Sequence, residues 1–257
     1  MKLWFCAAAA SVATLACGDS FTTIIVNDTG GQTASGGQGG DAGGTGGTGG
    51  TGAAGGTGGG EAGATPVCPA NGTSHVTDSF DDGSLAEFWA PWGDGITETG
   101  GTVNITFANG VYSQSGAATV DQYDLRNCDV VLEVLEVPNP SESIDAYLDV
   151  HADGDNIAYI TFDDGGFLEF HAVTNGVGEG PVQAVSYSPS QHRWWRIAER
   201  NGNTLLQTAP DGASWQTHHS FPTPSWVASV KIEFYASSAA SNLAPGAFRI
   251  DNLNPPP

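Results

Sequence analysis

Three two-residue corners constrain this chain more than any other feature. Asp153-Gly154, Asp164-Gly165 and Asn201-Gly202 each stand between runs in which apolar and polar residues alternate. Such pairs favour tight primed turns, whose twist matches that of the strands they join. Period-two alternation then assigns each side chain to one of two faces. Paired outward from the first two corners, Asp149, Ala158 and His171 form one row, and Tyr147, Ile160 and Glu169 form the next. One face, carrying Ile144, Ala146, Leu148, Val150, Ile157, Tyr159, Leu168 and Phe170, reads as core. The opposite face carries Asp145, Tyr147, Asp149, His151, Ala158, Phe167, Glu169 and His171. The third corner places Trp195, Ile197 and Leu206 inward and Trp194, Arg196, Ala198, Leu205 and Gln207 outward. Over 227–236, inward Val230, Ile232 and Phe234 alternate with outward Lys231, Glu233 and Tyr235.

Fourteen such runs lie between residues 75 and 252, and none sustains a helical period over three turns. Many short strands at this spacing predict an all-β antiparallel sandwich or barrel. The folded domain is read as 68–257, because the composition before it is of another kind. From Gly30 to Gly63, 19 of 34 residues are glycine and none is aromatic. Nothing there offsets the entropy of ordering, so 17–67 is read as a disordered tether, spanning roughly 30 Å as a flexible chain.

Residues 1–16 hold one early lysine, Lys2, and then an uncharged apolar run ending at Leu15-Ala16-Cys17-Gly18. The run is too short to span a bilayer and has the length of a signal-peptide core. It resembles a bacterial lipoprotein signal, which implies cleavage before Cys17, acylation of that cysteine, and anchoring at the bacterial outer membrane or cell surface. Ordinary secretion with cleavage after Ala16 is the alternative, and either route exports the protein. Cys68 and Cys128 then meet an oxidising compartment, where a disulfide is favoured over two buried thiols.

The net charge of −21 excludes nucleic acid and charge-driven membrane contact, leaving the lipid anchor as the only membrane attachment of an expected monomer. The charges are unevenly spread. From residue 191 onward there are four acidic and five basic residues, so Arg193, Arg196 and Arg200 are expected to pair with carboxylates from earlier strands.

Five segments carry a family likeness. Asp78-Ser79-Phe80-Asp81-Asp82, Asp121-Gln122-Tyr123-Asp124-Leu125, Gln191-His192-Arg193-Trp194-Trp195-Arg196-Ile197, Pro210-Asp211-Gly212-Ala213-Ser214-Trp215 and Phe248-Arg249-Ile250-Asp251-Asn252 resemble laminin G-like domains of the concanavalin A-like jelly-roll superfamily. The resemblance covers about 72–254. It implies two antiparallel sheets, a first strand pairing with the last, and a concave outer face on which relatives bind glycans.

Known reaction signatures are missing. Glu133 and Glu136, three apart, project to opposite faces, whereas the glycosidases of this superfamily set acids at alternate positions of one strand. Asp145 and Asp149 share a face at roughly 13 Å, too far apart for either hydrolytic geometry. No nucleophile elbow, zinc-protease, Cys-x-x-Cys or dinucleotide motif is present. No metal site is read; calcium alone stays open, because 153–156 and 163–165 are acidic but already explained as turns. The leading reading is a non-catalytic, surface-displayed module that binds glycan or envelope polysaccharide through Tyr147, Asp149, His151, Glu169, His171, Trp194, Arg196 and Tyr235. Carboxylates would bond hydroxyls, and an aromatic plate would cover a sugar ring. Alternatives are an exported glycoside hydrolase or polysaccharide lyase using Asp149, Glu169 and His171, and a structural envelope protein without a small ligand.

Overall fold

A computed structural model describes residues 67–180 and 182–255. The signal segment 1–16, Cys17 and nearly all of the tether lie outside the described residues.

Fifteen strands, numbered in chain order, form two sheets in which every strand ladder is antiparallel. The larger sheet runs β1 (Trp89–Trp92), β4 (Ser113–Thr119), β14 (Lys231–Ser238), β6 (Ile144–Asp153), β7 (Asn156–Phe162), β8 (Phe167–Thr174), β10 (Gln183–Ser186), with β9 (Val177–Gly178) also on β8. The smaller runs β13 (Gln216–Pro222), β12 (Asn203–Ala209), β11 (Trp194–Arg200), β5 (Asp129–Glu136), β15 (Ala247–Leu253), β3 (Thr102–Thr106), β2 (Ile96–Thr99). The fold is therefore the expected two-sheet all-β sandwich. Leu148, Ile160, Phe170 and Phe234 from one sheet and Leu132, Trp195, Ile197 and Ile250 from the other belong to one fully buried core cluster. Alternation obliges their neighbours to face outward on both sheets.

The corners behave differently from one another. Asn201 and Gly202 both take positive φ, and Arg200 pairs with Asn203, as a primed turn requires. Asp153 instead pairs with Asn156 across Gly154-Asp155, neither of which is left-handed, and a bulge between His151 and Asp153 absorbs the mismatch. At the next corner Asp163 bonds Phe167 and the left-handed residue is Gly166. Each change shifts β7 by one residue. Tyr159 therefore lies between Asp149 and His171, and Thr161 between Tyr147 and Glu169, in place of Ala158 and Ile160. Ala158 is fully buried, and Tyr159 has left the expected core face for the outside. The two shifts cancel across β7, so β6 and β8 keep the predicted faces.

Two strands go unread in the sequence. Pro91 inside Trp89–Trp92 argues against a strand, yet β1 is an edge strand, where a missing N–H is tolerated. The short β9 follows an Asn175-Gly176 corner with both φ positive. Conversely, 75–80 contributes only one bridge, Asp78 to Leu253, in place of a first strand paired along the last.

Cys68 and Cys128 form a disulfide across 60 residues of chain. It staples the domain's entry segment to the start of β5. Gly72 lies against it so closely that a Cβ there would collide with both sulfurs. The chain's exit is tied to the same place: the Asn254 side chain accepts from the Val131 N–H at 2.7 Å and donates to Thr73 and Val76 carbonyls at 2.8 Å each. Replacing both cysteines by alanine should lower stability by about 2–4 kcal/mol, measured by urea unfolding against the oxidised parent. An equal midpoint in both proteins would show that the Asn254 ties suffice.

Candidate functional site

The outer face of the larger sheet carries an aromatic row that crosses it. Trp92 of β1 lies 5.8 Å from Tyr235 of β14, ring centre to ring centre. Tyr235 stacks on Tyr147 of β6 at 4.3 Å, with the planes 10° apart. Tyr147 approaches Tyr159 of β7 at 6.0 Å, and Tyr159 stacks on His171 of β8 at 4.6 Å. Tyr235–Tyr147 and Tyr159–His171 are direct cross-strand pairs, the arrangement in which side chains on one face come closest. Trp92 joins the row by reaching over β4. Its cross-strand partner there is Gly116, whose own partner on β14 is Tyr235, so a strand without a side chain lies beneath the indole. A Cβ on Gly116 would collide with the Cβ of Tyr235.

Because the tyrosine and histidine rings stack on each other, their faces are used internally and their polar edges are what they can offer a ligand. Trp92 is the plate of this surface.

Acids and histidines interleave with the rings. The Trp92 indole N–H donates to Glu233 at 2.8 Å, and His151 Nδ1 lies 2.7 Å from Asp149 Oδ1 and 3.8 Å from Glu233. His171 Nε2 is 2.8 Å from Glu169. Asp149 is only 1 % exposed. Burial raises its proton affinity against the opposing pull of the His151 bond. Burial by itself would lower His151, but the Asp149 hydrogen bond and charge, with Glu233, hold it above the ordinary imidazole value. Burial, then the charge of Asp149, raises Glu233. Tyr235 and Tyr147 are pushed far up by burial first, and Tyr159 to about 12, so all three keep their hydroxyl protons.

Asp149, His151 and Glu233 bring their ligating atoms within 4.8 Å of one another, the one such three-residue group among the described residues. The acidic corners are closed on themselves. Asp153 Oδ1 accepts from the Asp155 N–H and the Asn156 amide, and Asp163 Oδ1 from the Gly165 and Phe167 N–H groups.

The larger sheet thus brings together Tyr147, Asp149, His151, Glu169, His171 and Tyr235. Trp194 and Arg196 are not among them. They lie on β11, on the outer face of the other sheet, where Arg196 stacks over Trp215 at 4.0 Å. Alternation within the 201–202 hairpin does place them outward, but it carries no information about which sheet the hairpin enters. The tryptophan on the face of Tyr147 is Trp92, on the strand concealed by Pro91. Ala158 and Ala198, expected to face outward, are both fully buried. Of the three arginines expected to meet earlier carboxylates, Arg193 reaches Glu133 and Arg200 reaches Asp129, each at 2.6 Å on β5, and Arg196 reaches none.

Comparison with solved structures places this arrangement. The chain has the concanavalin A-like jelly-roll fold. It superposes on the LamA catalytic module of Zobellia galactanivorans with TM-score 0.55 at 8% identity, over 72% of this chain and 97% of that one. For SCLam, a non-specific endo-β-1,3(4)-glucanase of glycoside hydrolase family 16, the values are 0.52, 9%, 74% and 92%. For a legume lectin-like domain from Entamoeba histolytica they are 0.50, 12%, 64% and 87%. No family model matches the sequence, and no curated protein matches it. At these identities the likeness is one of fold.

Asp145 supplies a pH test of this face. Burial, then the charges of Asp164 and Asp163, push it up to about 6. The folded state therefore binds this proton more tightly than the unfolded chain, and stability falls as pH rises from about 4 to about 6. Asp145→Asn should flatten that part of the profile, read from denaturant midpoints at each pH. An unchanged slope would place the shift elsewhere.

Proposed function

We propose that the domain binds an extended glycan across the outer face of its larger sheet, and that it does so as an exported, lipid-anchored module carried on the 17–67 tether. The observation that supports this most is the row Trp92–Tyr235–Tyr147–Tyr159–His171. It spans six adjacent strands of the sheet, or about 24 Å at ordinary strand spacing, which suits an oligosaccharide better than a single sugar. Along it alternate phenol donors, the acceptors Glu169 and Glu233, and two histidines. Polyhydroxylated chains are recognised by such fixed donors and acceptors with one apolar plate, here Trp92. One protein of this fold was solved with laminaritriose and laminaritetraose, which is compatible with a β-glucan among the candidates.

The hydrogen bond between Asp149 and His151 favours a second reading, an exported polysaccharide lyase or hydrolase. Asp149 is too buried to touch a sugar, so it would position His151, and the pair His171–Glu169 would supply the other proton-transfer group.

A glycan array on the mature chain separates the readings. Tyr147→Phe and Tyr159→Phe each remove one hydroxyl and should weaken binding about three- to tenfold, the worth of a typical hydrogen bond. Trp92→Ala should weaken it further. Binding without new reducing or unsaturated ends supports a module, and turnover lost in His151→Ala supports the enzyme. A blank array would overturn both. Mass spectrometry of the mature N-terminus checks the anchor, with an acylated Cys17 as the expected result.

A further inference from the structure

The smaller sheet holds a half-open cavity of about 720 Å³ on its own outer face, lined by Trp194, Arg196, Trp215, Asp129, Gly212 and Thr77. Alternation turns this face away from the aromatic row, which lies on the other sheet.

Arg196 is the anomaly in it. The other four arginines are ion-paired: Arg126 with Asp124, Arg193 with Glu133, Arg200 with Asp129 and Arg249 with Glu136. Among the described residues Arg196 is the one arginine without a carboxylate, in a chain with 28 acidic residues. Its Nε donates to Gln207 at 2.7 Å, Gln207 donates in turn to Thr217 at 2.7 Å, and the guanidinium carbon lies over the Trp215 ring, 4.0 Å from its centre. The group is thereby held, and its two terminal nitrogens find no acceptor among the described residues. Burial lowers its proton affinity to about 10, so it stays charged at neutral pH.

Three further groups of the lining donate too. The indole N–H groups of Trp194 and Trp215 and the Thr77 hydroxyl have no bonded partner among the described residues. Two acids stand nearby: Asp129 holds Arg200 through Oδ2 and keeps a buried Oδ1 without a partner, and Asp211 accepts from the Ala213 and Ser214 N–H groups and the Ser214 hydroxyl at 2.7–2.9 Å. That braced turn sets Gly212 against the Trp194 ring, so the indole is fixed before any ligand arrives.

We infer that this cavity is a second binding site, one that takes a carboxylate-bearing sugar, a uronate unit of an acidic polysaccharide. A flat, anchored guanidinium with both terminal nitrogens open matches a carboxylate in two parallel hydrogen bonds. Two indoles flanking it supply the apolar surface on which a pyranose ring packs. The protein as a whole repels polyanions, so a preference for acidic over neutral chains would report this local arrangement rather than general charge.

The mature chain is titrated with tetragalacturonate, with laminaritetraose and with a sulfated tetrasaccharide, following tryptophan indole N–H signals by NMR. The expected result is that tetragalacturonate shifts the Trp194 and Trp215 signals and leaves Trp92 in place. Arg196→Gln should weaken tetragalacturonate at least tenfold. Arg196→Lys, which keeps charge but not the fork, should weaken it several-fold, and Tyr147→Phe should leave it unchanged. The inference is overturned if neutral and acidic tetramers shift these two signals equally, if the sulfated chain binds more tightly than the uronate, or if Tyr147→Phe rather than Arg196→Gln removes binding. Loss of glucan binding in Tyr147→Phe with tetragalacturonate intact would leave the two sites independent of each other. The NMR titration of the unsubstituted chain decides the matter even if an Arg196 variant fails to fold.

Discussion

Both outer surfaces depend on the burial of two alternating faces against each other. Leu148, Ile160, Phe170 and Phe234 can all reach the core only in one register of β14, β6, β7 and β8. A slip of one residue would expose every one of them, at roughly 1.5–3 kcal/mol for each large apolar side chain. That penalty outweighs what a corner's own preference is worth. The chain accordingly accepts a bulge at His151–Asp153 and a longer turn through Gly166, and the polar partners of the core residues are carried outward as a fixed pattern.

Charge is distributed under the same constraint. With few cations available, arginines from the second half of the chain meet carboxylates of β5, the arginines half-exposed and the carboxylates mostly covered. The exceptions carry more information. Asp149 is a carboxylate taken almost wholly out of water, a costly state unless it is hydrogen-bonded, and His151 is the group that bonds it. Arg196 is a cation partly taken out of water with an aromatic ring in place of a counter-ion. One lies on each sheet, and each sits beside tyrosines or tryptophans.

The two surfaces differ in what they present. On the larger sheet the rings stack edge-outward, so the surface is a comb of hydroxyls, carboxylates and imidazoles with Trp92 at one end. On the smaller sheet two indoles and a guanidinium wall a cavity whose open hydrogen-bonding groups are donors except for one oxygen of Asp129. Gly116 and Gly212 matter to these surfaces for the same reason. Each is a place where a side chain would have to occupy space that an indole or a neighbouring strand already fills.

Alternation and corner chemistry, legible in the residues themselves, determined the sandwich class, the inward and outward sets of β6, β8, β11 and β14, and the plausibility of Cys68 pairing with Cys128. The period of two is a local property, and a strand cannot escape it. Tertiary structure decided the rest. Whether the 201–202 hairpin joined the sheet of Tyr147 or the opposite one depended on which strand lay beside β11, and that neighbour, β5, is some sixty residues away in the chain. Trp92 was hidden because a proline forbids a central strand but not an edge one, and edges exist only once the sheet is assembled. Tyr159 replaced Ala158 because packing of the core, which is collective, set the register of β7 against the signal of its corners.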